Sequence, residues 1–415
     1  MGNRILIGVT GSIAAYKALE IVRMLSKASY ETDVILTTSG ERFIPRLNFE
    51  SFTSGDVVSD FWTENHRQPI HIKLSRSAKV LAVVPGTADF IAKAAAGIAD
   101  DLLTAVFLAF QGPKLIAPAM NPNMYDNPIT QRNIRTLKEY GVIFIEPVQG
   151  YLADYTRGSG HLADTVEIFD YIERYIRPPL LEKKKVVITA GGTREPLDPV
   201  RFLGNPSTGL TGIELAKELW KLGSDVTVLG ANLLVPVPSY LKVISSDSHS
   251  KMELNAKKQF KGCDIYISTA AISDFSPVSP SKHKIKKSGM PSRLNLTKNS
   301  DILKELSKIK GKRILIGFAA ETVNLEKETI RKLKEKRLDI IIGNLIGSKS
   351  GFGFVSATGI ILGRDIRVEF SGLDKKQLSR KIVEVLLQVL YGNSCLLYTS
   401  PSPRDRTRSR MPSSA

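Results

Sequence analysis

Asn121 stands in the run Pro118-Ala119-Met120-Asn121-Pro122-Asn123-Met124. A loop so dense in Asn, Pro and Met is costly to keep unless it touches something. The carboxamide both donates and accepts and so can clamp a carboxylate, while the thioethers can pack on a flat ring. His71, in Gln68-Pro69-Ile70-His71-Ile72-Lys73-Leu74, can carry a proton or orient a carboxylate if its loop stands beside the other site loops. His66 and His161 carry less weight. Upstream, Gly11 ends an apolar run, and Thr10, Ser12, Thr38 and Ser39 supply short hydroxyls suited to one terminal phosphate.

A second set lies downstream. Ala190-Gly191-Gly192-Thr193-Arg194-Glu195-Pro196 is followed by Gly204-Asn205-Pro206-Ser207-Thr208-Gly209, a loop system that reads as phosphate or nucleotide binding. Ala270-Ala271-Ile272-Ser273-Asp274-Phe275 then leads to Lys284-Ile285-Lys286-Lys287. There a carboxylate can orient magnesium or a ribose, and the lysines can neutralise a triphosphate. Helix caps and solvated loops compete with each of these readings taken alone.

The elements that must position these residues alternate. In the first half, Ile5–Thr10, Asp33–Thr38, Val80–Val84, Lys114–Ala117 and Val142–Ile145 read as strands, with helices near Ala14–Lys27, Asp89–Ala96, Leu102–Phe110 and Thr130–Tyr140. The second half restarts at Val186–Thr189 and closes with a sheet-like end, Gly359–Leu362 and Ile366–Phe370, before a last helix. Alternation predicts an α/β fold: a flavodoxin-like or Rossmann-type parallel-sheet domain over 1–175, then a second Rossmann-like domain over 185–391. The stretch from Tyr171 to Lys184, with Pro178-Pro179, reads as linker, its core at 176–184. Ligands on such sheets sit outside the strand carboxyl ends, where Gly11, Ser39, Pro85 and Pro118 fall.

Composition narrows the class. The net charge is +17, but Lys and Arg are dispersed and not interleaved with exposed aromatics, so a nucleic-acid partner is not expected. No apolar run reaches the roughly 20 residues that span a bilayer, so no membrane partner is expected. With only Cys263 and Cys395, no disulfide framework is available, and a reducing cytoplasm fits. The Ser/Pro/Arg-rich stretch 392–415 reads as disordered or non-native.

Four motifs carry a resemblance. Gly11-Ser12-Ile13-Ala14-Ala15-Tyr16-Lys17, the His71 segment, Gly97-Ile98-Ala99-Asp100-Asp101-Leu102-Leu103 and Pro118–Met124 are similar to the homo-oligomeric flavin-containing cysteine decarboxylases. With the second half included, residues 1–390 resemble the bacterial bifunctional phosphopantothenoylcysteine decarboxylase/phosphopantothenate–cysteine ligases. The resemblance implies FMN at Gly11, Ser12, Ser39, Pro85, Thr87, Asp89 and Met120, with His71 and Asn121 at the substrate carboxylate. FMN would take two electrons from the cysteinyl thiol so that carbon dioxide can leave, then return them. In the second half it implies CTP, with Mg2+, activating 4′-phosphopantothenate as an acyl-cytidylate that the cysteine amine attacks. Asn205 would hold the acyl-cytidylate, Ala270, Asp274, Phe318 and Lys336 would bind the nucleotide, and Lys284 would act on the triphosphate. Trimer contacts by the first domain and dimer contacts by the second are implied as well.

Two segments depart from the family pattern. In the substrate flap, Ala153-Asp154-Tyr155-Thr156-Arg157-Gly158-Ser159-Gly160-His161, Asp154 replaces the usual cysteine and His161 the usual arginine. Asp154 is then the expected proton donor, at a pKa raised by enclosure. Gly209-Leu210-Thr211-Gly212 replaces Gly-Lys-Met-Gly, which removes a cation near the phosphates. Two further readings stay open: a working ligase with an impaired decarboxylase half, and a regulatory flavoprotein that binds a protein partner.

Overall fold

The computed structural model describes residues 3–62, 69–151, 157–286, 293–347 and 356–392. His66, Asp154, Lys287, Cys395 and the tail from 393 lie outside the described residues. The chain separates into two compact units that part between Pro178 and Pro179.

In unit 1, β1 (Arg4–Val9), β2 (Glu31–Leu36), β3 (Val57–Val58), β4 (Val80–Gly86), β5 (Lys114–Pro118) and β6 (Ile143–Phe144) form a parallel sheet, ordered β3-β2-β1-β4-β5-β6. The connections are α1 (Ala15–Lys27), α2 (Thr38–Phe43), α3 (Arg46–Glu50), α4 (Ile70–Ser77), α5 (Ala88–Ala96), α6 (Leu102–Ala109), α7 (Pro122–Tyr125), α8 (Pro128–Glu139) and α9 (Thr165–Ile176). One face of the sheet packs on α1 and α9, the other on α4, α5, α6 and α8. Covered on both sides, the strands are unbroken apolar runs: Ile5, Leu6, Ile7 and Val9 are all fully buried. Each such side chain contributes about 1.5–3 kcal/mol. A hairpin of β7 (Val148–Tyr151) and β8 (Arg157–His161) stands apart from the sheet.

Three local expectations are corrected here. Tyr171–Ile176 is not linker but the end of α9, because Ile168, Phe169, Ile172 and Ile176 recur at helical spacing and bury against the sheet. His71 sits in helix α4 and not in a loop, its helix anchored by buried Ile70 and Leu74. Strand β2 stops at Leu36, and Thr38 opens α2, whose first turn is capped by Thr37 Oγ1 accepting from Gly40 N at 3.0 Å.

Unit 2 contains β9 (Lys185–Gly191), β10 (Arg194–Pro196), β11 (Phe202–Gly204), β12 (Asp225–Ala231), β13 (Lys242–Ser245), β14 (Ile265–Ser268), β15 (Phe275–Pro277), β16 (Leu296–Lys298), β17 (Ile314–Glu321), β18 (Ile340–Leu345), β19 (Ala357–Gly363) and β20 (Arg367–Leu373). Its main sheet runs β13-β12-β9-β14-β17-β18-β19-β20, parallel through β18 and antiparallel over the last two strands. Helices α10 (Leu210–Lys221), α11 (His249–Phe260), α12 (Ile302–Lys308), α13 (Leu325–Glu335) and α14 (Lys375–Tyr391) complete it. Cys263 is buried, its thiol pushed up to about 11 by desolvation and so held as an unreactive thiol.

Candidate functional sites

Open α/β sheets bind ligands at the carboxyl ends of the strands, where strand order reverses. In unit 1 that point lies between β1 and β4. Thr10 ties the two strand ends together: its Oγ1 donates to Pro85 O at 2.7 Å and accepts from Thr87 N at 3.3 Å. Thr87 in turn accepts from Phe90 N at 3.4 Å and caps α5. A Cβ on Gly11 would strike the side chain of Ser39, so glycine is what lets the β1 turn and α2 approach. Ser12 Oγ accepts from Ala14 N at 3.3 Å beside that turn. Gly11, Ser12, Ser39, Pro85 and Thr87 are thereby gathered, whereas Asp89 lies exposed in the first turn of α5, paired with Lys93 at 3.4 Å.

The adjacent strand end carries Met120 and Asn121. Asn121 Oδ1 accepts from Asn123 N at 2.9 Å, which caps α7 and fixes the carboxamide plane. Met120 N donates to Gly160 O at 3.0 Å, so the β7–β8 hairpin closes onto this loop. Gly160 has φ of +133° and a Cβ there would strike Met120 O, two reasons for glycine at this contact. The next residue, His161, meets Lys17 of α1, Nε2 to Nζ at 3.1 Å. Burial, then the charge of Lys17, lowers the His161 pKa, so the ring is neutral at pH 7 and Nε2 accepts from the ammonium. Lys17 thus places a cation at this hairpin, a role that its own short motif does not reveal. His71 stands on α4 with its ring edge-on to Phe61 at 5.9 Å, and its buried Nδ1 has no hydrogen-bond partner among the described residues. Ile70 and Leu74 on its helix share an apolar cluster with the packed side chain of Met120.

In unit 2 the order reverses between β9 and β14. Gly191, at φ of +89°, ends β9 so close to Ala231 O that a side chain would collide with it. Segment 270–273 is fastened alongside: Ala270 N donates to Thr189 Oγ1 at 3.1 Å, Ala271 N to Gly191 O at 2.8 Å and Ser273 N to Thr193 Oγ1 at 2.9 Å. Asn299 holds the following turn through Nδ2 to Ser273 O at 2.8 Å and its N–H to Asp274 O at 2.8 Å. Between these segments and the start of α10 lies a cavity of about 340 Å³. Asn205, Ala270, Asp274, Phe318 and Lys336 all line it, as do Ser207, Thr208 and Leu210.

Lys284 is not on that wall. It is exposed, on segment 281–286, whose Ile285 N donates to Asp198 Oδ2 at 3.1 Å. Burial alone would raise the Asp198 carboxyl, but the N–H groups of Val200, Ile285 and Arg201 and the Arg201 charge hold it down at about 2.

Two lining residues escaped sequence reasoning. Asp301 accepts from Lys336 Nζ at 2.8 Å and from Lys304 N at 3.0 Å, capping α12. Lys375, the first residue of α14, is only 7% exposed, and burial lowers its pKa. The Asp374 and Gln377 capping box could have located the start of this helix, but its place on the cavity wall is a tertiary fact.

Two doubly wound units, each gathering polar residues at its own switch point, define a two-site α/β enzyme. Residues 1–177 match the family model described as Flavoprotein, and residues 181–390 the one described as DNA/pantothenate metabolism flavoprotein C-terminal domain. The coenzyme A biosynthesis bifunctional protein CoaBC of Bacillus subtilis is 40% identical over 367 residues, covering 87% of this chain and 90% of that protein. Its counterpart in Borreliella burgdorferi is 36% identical over 389 residues, covering 92% of this chain and 99% of that protein. A crystal structure of the C-terminal domain of a CoaBC protein aligns with 51% of this chain and 98% of that chain, at 30% identity and a TM-score of 0.44. The chain belongs to the family of coenzyme A biosynthesis bifunctional proteins.

Proposed function

We propose that unit 2 joins cysteine to 4′-phosphopantothenate using CTP, and that unit 1 decarboxylates the resulting phosphopantothenoylcysteine to 4′-phosphopantetheine. The observation that carries this reading is the gathering of most of each residue set at the switch point of its own sheet, in a chain that a bifunctional relative matches over 92% of its length.

In unit 2 the phosphopantothenate carboxylate attacks the α-phosphorus of CTP and pyrophosphate leaves. The cysteine amine then attacks the acyl carbon and CMP leaves. Asn205, whose Nδ2 donates to Ile272 O at 3.4 Å, stands at the cavity to orient the acyl group. Lys284 neutralises the triphosphate as charge develops on the leaving pyrophosphate. Asp274, a carboxylate on the cavity wall, would help to hold a Mg2+ ion, which would offset the charge of the triphosphate. Among the described residues no group of three His, Cys, Asp or Glu could hold a metal by itself. Lys375 supplies the cavity with a cation that Leu210 does not. Lys375→Met is therefore expected to raise the KM for CTP about tenfold or more, read from initial rates of pyrophosphate release.

In unit 1 the close approach of Gly11 to Ser39, with the hydroxyl of Ser12 alongside, suits the phosphate end of FMN, and the unpartnered Nδ1 of His71 suits a polar ligand. FMN supplies a two-electron store when bound. Asn121 holds the substrate carboxylate, and His71 accepts the thiol proton. Asp154, at the flap, donates a proton in the closing reduction. The purified protein is therefore expected to release fully reduced 4′-phosphopantetheine, and Asp154→Asn to accumulate the enethiol. Enethiol from the unaltered protein would favour the reading of an impaired decarboxylase half, and Asp154→Cys would then restore the reduced product.

No helix among the described residues is long and apolar enough to cross a membrane, and we place the enzyme in the cytoplasm as a homo-oligomer. The test of the whole reading is one assay with cysteine, CTP and 4′-phosphopantothenate in which pyrophosphate and carbon dioxide are followed separately. Pyrophosphate without carbon dioxide removes the decarboxylase reading, and neither product removes both.

A further inference from the structure

We propose that Asp198 is the positioning residue for Lys284: its carboxylate anchors the backbone beside that lysine and so determines where the ammonium can reach. The inference rests on the reading of Lys284 as the cation of the ligation step.

The Asp198 side chain is fully shielded from solvent. A buried carboxylate is costly unless its oxygens are satisfied, and here the donors fall into two sets. Oδ1 accepts from Val200 N at 2.7 Å and Arg201 N at 2.8 Å, a local turn. Oδ2 accepts from Arg201 Nη1 at 2.9 Å and, across the fold, from Ile285 N at 3.1 Å. The same Arg201 nitrogen donates to Ile285 O at 3.0 Å, so both polar groups of Ile285 are held. Ser281 N donates to Leu197 O at 2.9 Å, fastening the other end of the segment. Lys284 lies between these two attachments and directly precedes Ile285. A residue needed only for its own turn would not reach beyond it; the Oδ2 bond from Ile285 N reaches the lysine segment. An exposed lysine on an unheld loop would spread its charge over many positions, and small misplacements of a catalytic group cost rate steeply.

The test is a double-mutant cycle in the full-length protein. Asp198→Asn keeps a side-chain oxygen for the local turn and removes the charge. It is expected to lower pyrophosphate release about tenfold to a hundredfold in the native background and to cost nothing further in the Lys284→Gln background. An equal loss in both backgrounds, or no loss in the first, overturns the proposal. If Asp198→Asn does not fold, hydrogen exchange on the unaltered protein still decides: the Ile285 N–H is expected to be protected, and fast exchange there overturns the anchor. A Lys284→Gln variant with unchanged ligation would overturn the role of Lys284 instead, while the exchange measurement would still report whether the anchor exists.

Discussion

Lys284→Gln is expected to slow ligation by about 10²- to 10³-fold, the usual cost of removing one group that stabilises transition-state charge. Lys284 is exposed, so the change leaves the core untouched, and surface substitutions of this kind alter stability by about 0.5 kcal/mol or less. The loss should fall on kcat more than on CTP affinity, because the residues proposed to bind the nucleotide, Ala270, Asp274, Phe318 and Lys336, line the cavity and are left unchanged. The measurement is pyrophosphate release at saturating CTP. Carbon dioxide release from supplied phosphopantothenoylcysteine serves as an internal control and should not change. An unaltered ligation rate would take Lys284 out of the mechanism.

His71→Asn is expected to cut carbon dioxide release by about 10²- to 10⁴-fold, the range for a positioned general base. Asparagine keeps a polar group of similar reach and removes the titratable nitrogen. Nδ1 makes no hydrogen bond among the described residues, so its removal breaks no structural contact of that atom, and α4 keeps its anchors Ile70 and Leu74. Pyrophosphate release by unit 2 should be unaffected. Full decarboxylation by the variant would reduce His71 to a packing partner of Phe61.

These two residues show how differently the two sites read from sequence. The glycine turns were legible because each belongs to one short segment: an apolar run, a Gly, and short hydroxyls within a few residues. The central strands of both sheets were legible for the same reason, since burial on both faces makes them continuous apolar stretches, whereas the short edge strands β3 and β13 were not. The end of helix α9 was not legible, because Pro178-Pro179 and the charged run after it give the whole stretch the composition of a linker. The turn into α2 was not legible, because Thr37 and Thr38 suit a strand end as well as a cap.

The sequence by itself determined the chemistry available: two strand-to-glycine junctions, an asparagine loop, a histidine motif and a lysine segment, each set by local residue type and spacing. Only the tertiary structure decided which of these meet. Lys17 reaches His161 across 144 positions, and Asp198 reaches Ile285 across 87. Lys375 reaches the unit 2 cavity from the last helix. No local pattern encodes such meetings, because they follow from strand order and from the packing of helices on the sheet. The same packing gathers Asn205, Asp274 and Phe318 on one cavity wall while leaving Lys284 on a segment of its own, whose neighbour Ile285 is held by a buried carboxylate.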